Sequence, residues 1–82
     1  MRLDLFLKKT AIIKRRTIAK EIVIRGLVSV NNKVAKPSTE VKDGDVLSMK
    51  LGNHYIEAKA IIELKGTKEN PSFEILKEIK QD

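Results

Sequence analysis

The spacing of apolar residues near the start of the chain predicts a short first helix. One face of this helix carries Leu3, Phe6 and Leu7, and Ala11 extends the same face. Asp4 can cap the helix, because a carboxylate accepts hydrogen bonds from the free N–H groups of a first turn. Lysines occupy the other side, so the helix is expected to bury one face only.

A second helix is predicted from about Arg15 or Arg16 to Arg25. Its apolar residues fall on one helical face and comprise Ile18, Ala19, Ile22 and Val23. Gly26 comes next, and glycine readily accepts the left-handed backbone conformation that commonly ends a helix. The helical pattern is therefore expected to stop at this glycine.

Beyond the second helix the apolar residues alternate with polar ones, as they do in β-strands. Val28 and Val30 form a short strand, the pair Asn31-Asn32 forms a tight turn, and Val34 lies in the returning strand. Asparagine tolerates positive φ, although an Asn-Gly pair is the more usual hairpin turn.

The second half of the chain predicts further strands. Residues 42–46 (KDGDV) form a turn, after which residues 47–51 alternate, and residues 55–64 alternate cleanly. Residues 66–72 (GTKENPS) are expected to be a surface loop. Residues 73–79 are interpreted as a strand, with a short helix as the alternative.

This order of elements predicts an α+β fold with two helices packed on a small, mostly antiparallel sheet. Eighty-two residues suffice for one domain, and a chain of this size buries about 60–65% of its unfolded surface. Residues 1–82 are therefore expected to form a single domain with no separate catalytic domain.

The net charge of +6 is distributed unevenly along the chain. Residues 1–36 hold ten Lys and Arg against two acidic residues, a net charge of +8. Residues 37–82 hold seven against nine, a net charge of −2. Such asymmetry favours a surface that binds a polyanion, and nucleic acid is the preferred interpretation.

The cations gather where the second helix begins and on the elements beside it. They are Arg2, Lys14, Arg15, Arg16, Lys20, Lys33 and Lys36. A helix N-terminus offers unpaired N–H groups and a partial positive charge, both suited to phosphate, and arginine can grip phosphate bidentately. The alternative is an ordinary solvated helix face.

The few aromatic residues bear on which nucleic acid is bound. Phe6 lies on the apolar face of the first helix and is expected to pack in the core. Tyr55 begins a strand and could either stack on a base or serve the framework. Recognition is therefore expected to rest on backbone shape and phosphate, which favours structured RNA over single-stranded bases.

Several other functions are disfavoured. Without cysteine there is no disulfide, thiol nucleophile or cysteine-ligated zinc site, and His54 is the only histidine. No apolar run is long enough for a signal peptide or a membrane span. We expect a cytoplasmic, non-enzymatic protein with no metal, cofactor or membrane partner.

Three stretches resemble the alpha-L motif, the RNA-binding fold named for the fourth small-subunit ribosomal protein: RLDLFL at 2–7, IKRRTIAKEIVIRGLVSVNNKVAK at 13–36 and VKDGDVL at 41–47. Positions that match the motif in order are Arg16-Thr17, Gly26, Val28, Val30, Asn31 and Gly44-Asp45. Asn32 replaces the usual glycine. The resemblance implies a motif over about residues 1–50, with a C-terminal strand extension over about 51–82. It adds Thr17 and Asn31 to the expected RNA-binding residues.

The stretches MRLD-x-FL and IKRRT-x-AKE also resemble the stand-alone RqcP family of bacterial ribosome-associated quality-control factors, relatives of a small ribosome-binding heat-shock protein. The resemblance implies a protein that binds large ribosomal subunits obstructed by peptidyl-tRNA, and we expect it to be a monomer. It would contact ribosomal RNA and the tRNA, and support C-terminal alanine tailing by RqcH.

Four alternatives stay open from the sequence. The chain could handle peptidyl-tRNA on free large subunits, as the heat-shock relative does, or serve as a generic rRNA-binding assembly factor. It could be a protein–protein adaptor whose acidic half docks a partner. An RNA-modifying enzyme that carries this motif as an appendage would need a longer chain.

Overall fold

The computed structural model describes residues 1–80 as two helices followed by five strands. The elements are α1 (Leu3–Lys9), α2 (Arg16–Ile24), β1 (Val28–Val30), β2 (Lys33–Val34), β3 (Val46–Leu51), β4 (His54–Lys65) and β5 (Lys68–Lys80). The strands form one antiparallel sheet in the order β2-β1-β3-β4-β5. The α+β prediction is confirmed.

The core lies between the two helices and one face of the sheet. Its fully buried side chains include Leu3, Phe6, Leu7, Ala19, Val23, Val28, Leu47, Met49, Ala58 and Ala60. Burying each large apolar side chain contributes roughly 1.5–3 kcal/mol. The predicted apolar face of α2 is narrower than expected, because Ile18 is 45% exposed.

The start and end of α1 differ from the expectation. Arg2, not Asp4, precedes the helix, and Asp4 is buried within the first turn, where its Oδ1 accepts a 2.8 Å hydrogen bond from the Leu5 N–H. The helix ends before Ala11, which is exposed and has a φ of +60°. The Asp4 carboxylate thus accepts from a first-turn N–H as predicted, but from inside the helix and not from the residue before it, and the position of Ala11 on the helix face was wrong.

The β1–β2 hairpin has the predicted two-residue turn. Asn31 and Asn32 have φ values of +50° and +68°, as a type I′ turn requires at both central positions. Val30 pairs with Lys33 directly across the turn. Asparagine at position 32 thus retains the tight turn that the alpha-L motif usually builds with glycine.

Strands β4 and β5 form a long hairpin, which we call the arm. The loop predicted over residues 66–72 was wrong, because β5 already begins at Lys68. Pro71 lies in this edge strand, where a residue without an N–H group is tolerated. The strand interpretation of residues 73–79 is confirmed, although the pairing shifts by one residue at Leu76, which forms a bulge. The arm helps to elongate the molecule to 44 × 24 × 23 Å.

Gly26 ends α2 as predicted. Its φ is +78°, its N–H donates to the Val23 carbonyl at 3.0 Å, and the Leu27 N–H donates to the Ile22 carbonyl at 3.2 Å. These two bonds form a Schellman motif, which satisfies the last carbonyls of the helix. A Cβ at Gly26 would meet only the Val34 side chain, at an ordinary 3.8 Å, so space is not limiting.

We predict that Gly26→Ala lowers the free energy of unfolding by roughly 1 kcal/mol or more, because alanine is strained at positive φ. Chemical denaturation measures the loss. Gly26→Asn should lose less, since asparagine tolerates this conformation better than alanine. Equal losses for the two variants would show that backbone conformation is not the cause.

Candidate nucleic-acid interface

A buried carboxylate holds two arginines at the surface where α1 and α2 begin. The Asp4 side chain is only 2% exposed, whereas those of Arg2 and Arg16 are each 50% exposed. Asp4 Oδ1 lies 3.3 Å from Arg2 Nε, and Asp4 Oδ2 lies 3.6 Å from an Arg16 guanidinium nitrogen. We call Arg2 and Arg16 the arginine pair and Asp4 its anchor.

The position of each residue follows from the fold. Arg2 immediately precedes α1 and Arg16 is the first residue of α2, so the packing of the helices brings their N-terminal ends together. A buried carboxylate is costly unless it is paired, and two arginines supply that pairing. Asp4 engages Arg2 through Nε and one terminal nitrogen and lies near one terminal nitrogen of Arg16. Each guanidinium has five N–H donors, so both keep donors for an external phosphate.

The start of α2 adds a second feature that suits phosphate. Arg15 precedes the helix in an extended conformation, and no side chain caps the first turn. The first N–H groups of a helix have no partner within the helix, and the helix dipole places partial positive charge there. Thr17, Lys20 and Lys14 are exposed around this terminus, which is therefore open to an anion.

Backbone hydrogen bonds hold the segment that begins at Lys36 beside the arginine pair. The Leu3 N–H donates to the Thr39 carbonyl at 2.8 Å, and the Asp4 N–H donates to the Pro37 carbonyl at 3.2 Å. The segment that begins at Lys36 thus runs beside the first turn of α1. Lys33 is exposed on β2, a different element.

Asn31 has its side-chain amide engaged within the protein. Its Nδ2 donates to Asp45 Oδ1 at 3.1 Å, and its Oδ1 accepts from the Val46 N–H at 3.0 Å. Asp45 Oδ2 in turn accepts from the Lys42 N–H at 2.9 Å. This Asn31–Asp45 clamp joins the hairpin turn to the turn before β3. A direct contact of Asn31 with RNA stays a prediction.

Sequence reasoning missed the roles of Asp4 and Asp45. An acidic residue in a first helical turn is read as a cap, but Asp4 also stands three residues before the buried Leu7, on the core side of α1. That position was the available signal. Asp45 was treated as part of a turn, and nothing in the local pattern pointed to its partner 14 residues earlier.

Residues 1–80 contain neither a metal site built from acidic, His or Cys side chains nor a membrane-spanning helix. No group of three or more His, Cys, Asp or Glu side chains is arranged to hold a metal ion in this part of the chain. None of the helices that the structure describes is long and apolar enough to cross a membrane.

Comparison with known proteins gives a family match and close relatives. The S4 domain model matches residues 1–47. The chain is 44% identical to the RQC P-site tRNA stabilizing factor of Listeria innocua, over 100% of this chain and 92% of that protein. It is 45% identical to the Bacillus subtilis protein of the same name, over 98% and 96% of the two chains.

A solved structure is also similar. Heat Shock Protein 15 of Vibrio cholerae, described as trimeric, aligns with a TM-score of 0.64 and 31% sequence identity. The alignment covers 85% of this chain and 69% of that one. The likeness therefore extends well beyond the residues that the S4 domain model matches.

We predict that exchanging the two residues of the Asn31–Asp45 clamp preserves stability that either single change loses. Asn31→Asp places two carboxylates together and should cost about 1 kcal/mol or more, while Asp45→Asn should cost less. In the double variant, the carboxylate at position 31 can accept one hydrogen bond from the Val46 N–H and another from the amide at position 45. Stability should therefore return. Denaturation of all four proteins gives the coupling energy. Additive losses would mean that the clamp has no energetic role.

Proposed function

The chain belongs to the S4 domain family and, within it, to the RQC P-site tRNA stabilizing factors, and we propose that it binds obstructed large ribosomal subunits that carry peptidyl-tRNA. It acts there by binding rather than by catalysis. The observation that carries the proposal is the arginine pair and its anchor, which presents two guanidinium groups beside an open helix N-terminus. This arrangement suits the phosphate backbone of folded RNA.

The finer elements of the proposal concern partners. The cationic surface contacts both ribosomal RNA of the large subunit and the P-site tRNA, and so supports C-terminal alanine tailing by RqcH. The names of the relatives support the tRNA contact, and the charge of +8 in residues 1–36 supports contact with RNA. The protein works in the cytoplasm, as a monomer on each subunit.

A second candidate function is the heat-shock type, in which the protein handles peptidyl-tRNA on free large subunits without aiding tailing. The structural likeness to Heat Shock Protein 15 favours it, at 31% identity. The higher identity to the stabilizing factors, 44–45% over nearly the whole chain, favours the quality-control role.

Binding to RNA of the large subunit should weaken steeply with salt, because phosphate contacts displace condensed counterions. If about five phosphates are neutralised, a plot of log K against log salt concentration should have a slope of roughly −3.5 to −4.5. Filter binding across a salt series measures it. A slope near zero would contradict the electrostatic interpretation.

Arg16→Gln should reduce association with large subunits roughly tenfold or more, because a charge-assisted contact to phosphate is lost. Glutamine is preferred to glutamate, since a new carboxylate would face the buried Asp4. Cosedimentation in a sucrose gradient measures binding, and alanine tails on stalled chains in cells measure the quality-control role.

Lys65→Gln is the matched control for Arg16→Gln, with the same loss of charge at the exposed end of the arm. An equal loss of binding in the two variants would show that the site assignment is wrong. If Arg16→Gln no longer cosediments with large subunits but alanine tails are undiminished, RNA binding would stand as a function and the role in tailing would be wrong.

A further inference from the structure

Tyr55 lies on the face of the sheet opposite to the helices. In β4 the buried Ala58 and Ala60 point into the core, so residues an odd number of positions away, such as Tyr55, point outward. The ring is partly exposed, and its hydroxyl donates a 2.8 Å hydrogen bond to Glu57 Oε1 on the same face. This bond fixes the direction of the ring on the sheet surface.

Two clefts adjoin this ring. The larger has a volume of about 330 Å³ and the smaller about 200 Å³, and both are lined by Tyr55 and Lys50. The larger cleft is open because its floor carries short side chains: Ser29 and Ser48 lie directly opposite each other in the β1–β3 pair. The tyrosine thus stands between two concave spaces instead of packing under neighbouring side chains.

The charges around the clefts favour a polyanion. Lys50 is the cross-strand partner of Tyr55 and lines both clefts, whereas Glu57, the carboxylate on this face that accepts from the Tyr55 hydroxyl, is not part of either lining. Asn32, at the tip of the β1–β2 hairpin, closes one end of the larger cleft and is followed by the exposed Lys33. The larger cleft therefore ends at the turn that precedes Lys33.

An aromatic ring, a lysine and small polar groups on an open sheet face match the needs of an unpaired nucleotide. The ring offers a surface on which a base can stack, and an ammonium beside it can pair with the phosphate. Serine hydroxyls and an asparagine amide can donate to and accept from the edge of the base. The arginine pair, by contrast, has no aromatic partner and suits phosphates alone.

We propose that Tyr55 and Lys50 form a binding site for an unpaired RNA nucleotide, separate from the arginine pair. The site rests on the proposed RNA-binding function and deepens it: the helical surface holds a folded RNA backbone, and the sheet face holds a base that protrudes from a loop or an end. It also chooses the stacking role from the two that the sequence left open for Tyr55, and it adds a base contact to the expected recognition of backbone shape and phosphate.

Tyr55 is the only tyrosine in the chain, and there is no tryptophan, so the intrinsic fluorescence of the protein reports on this ring alone. The probes are a five-residue oligouridylate and a ribose-phosphate pentamer of the same length without bases. After correction for absorption, oligouridylate should quench the fluorescence at saturation, and the abasic pentamer should leave it unchanged. Unchanged fluorescence with both probes would overturn the proposal.

Variants test the same site by affinity. Tyr55→Leu, which keeps a large apolar side chain, should weaken oligouridylate binding roughly tenfold, and Tyr55→Phe should stay within about twofold of the parent. Neither should alter binding of the abasic pentamer. Lys50→Gln should weaken both probes, and its matched control is Lys59→Gln on the same face, which should alter neither. A melting temperature for each variant verifies that the fold persists.

The outcomes separate this proposal from the proposed function. If the parent protein binds large subunits through Arg16 but the Tyr55 variants bind oligouridylate as the parent does, only the nucleotide site is wrong. If Tyr55→Leu lowers the affinity for both probes by the same factor, the tyrosine is part of the framework and the proposed site is again wrong. If the parent protein bound neither probe and also failed to bind large subunits, both proposals would be overturned.

Discussion

The pairing of the buried Asp4 carboxylate with Arg2 and Arg16 ties the packing of the two helices to the chemistry of the surface. A carboxylate with 2% exposure is costly without partners. Asp4 accepts hydrogen bonds from the Arg2 guanidinium and the Leu5 N–H at the start of α1, and the Arg16 guanidinium at the start of α2 lies 3.6 Å away. The observed packing of the helices brings the two guanidinium groups together beside this carboxylate. The cationic surface is thus assembled by folding, and the two arginines differ in this from the solvated lysines around them.

The rest of the molecule divides into a charged part and a neutral part. The helices and the first hairpin carry the excess of cations, whereas residues 54–80 of the arm hold five lysines and five glutamates. Attraction to a polyanion is consequently concentrated on the helices and the first hairpin and not on the arm.

Local signals made much of the fold predictable, and long-range contacts account for the errors. The extent of α2, the positive φ at Gly26 and the Asn31-Asn32 turn depend on a few neighbouring residues, so the sequence was sufficient for them. Residues 66–72 contain Gly, Asn and Pro and read as a loop, yet pairing with β4 overrides that local preference. The sequence predicted a cationic surface at the start of α2, but its contact with Asp4 could not be seen, since burial of that carboxylate is a property of the assembled core.

The strand β5 also bears on whether the protein self-associates at high concentration. A 13-residue strand at the edge of a sheet is a template on which the strand of a second copy can add, and such addition leads to aggregates. Pro71 removes one N–H donor from that edge, and the bulge at Leu76 twists it out of register five residues later. These two interruptions divide the edge into stretches shorter than the six or seven residues typical of amyloid-forming segments, which disfavours addition of a second strand.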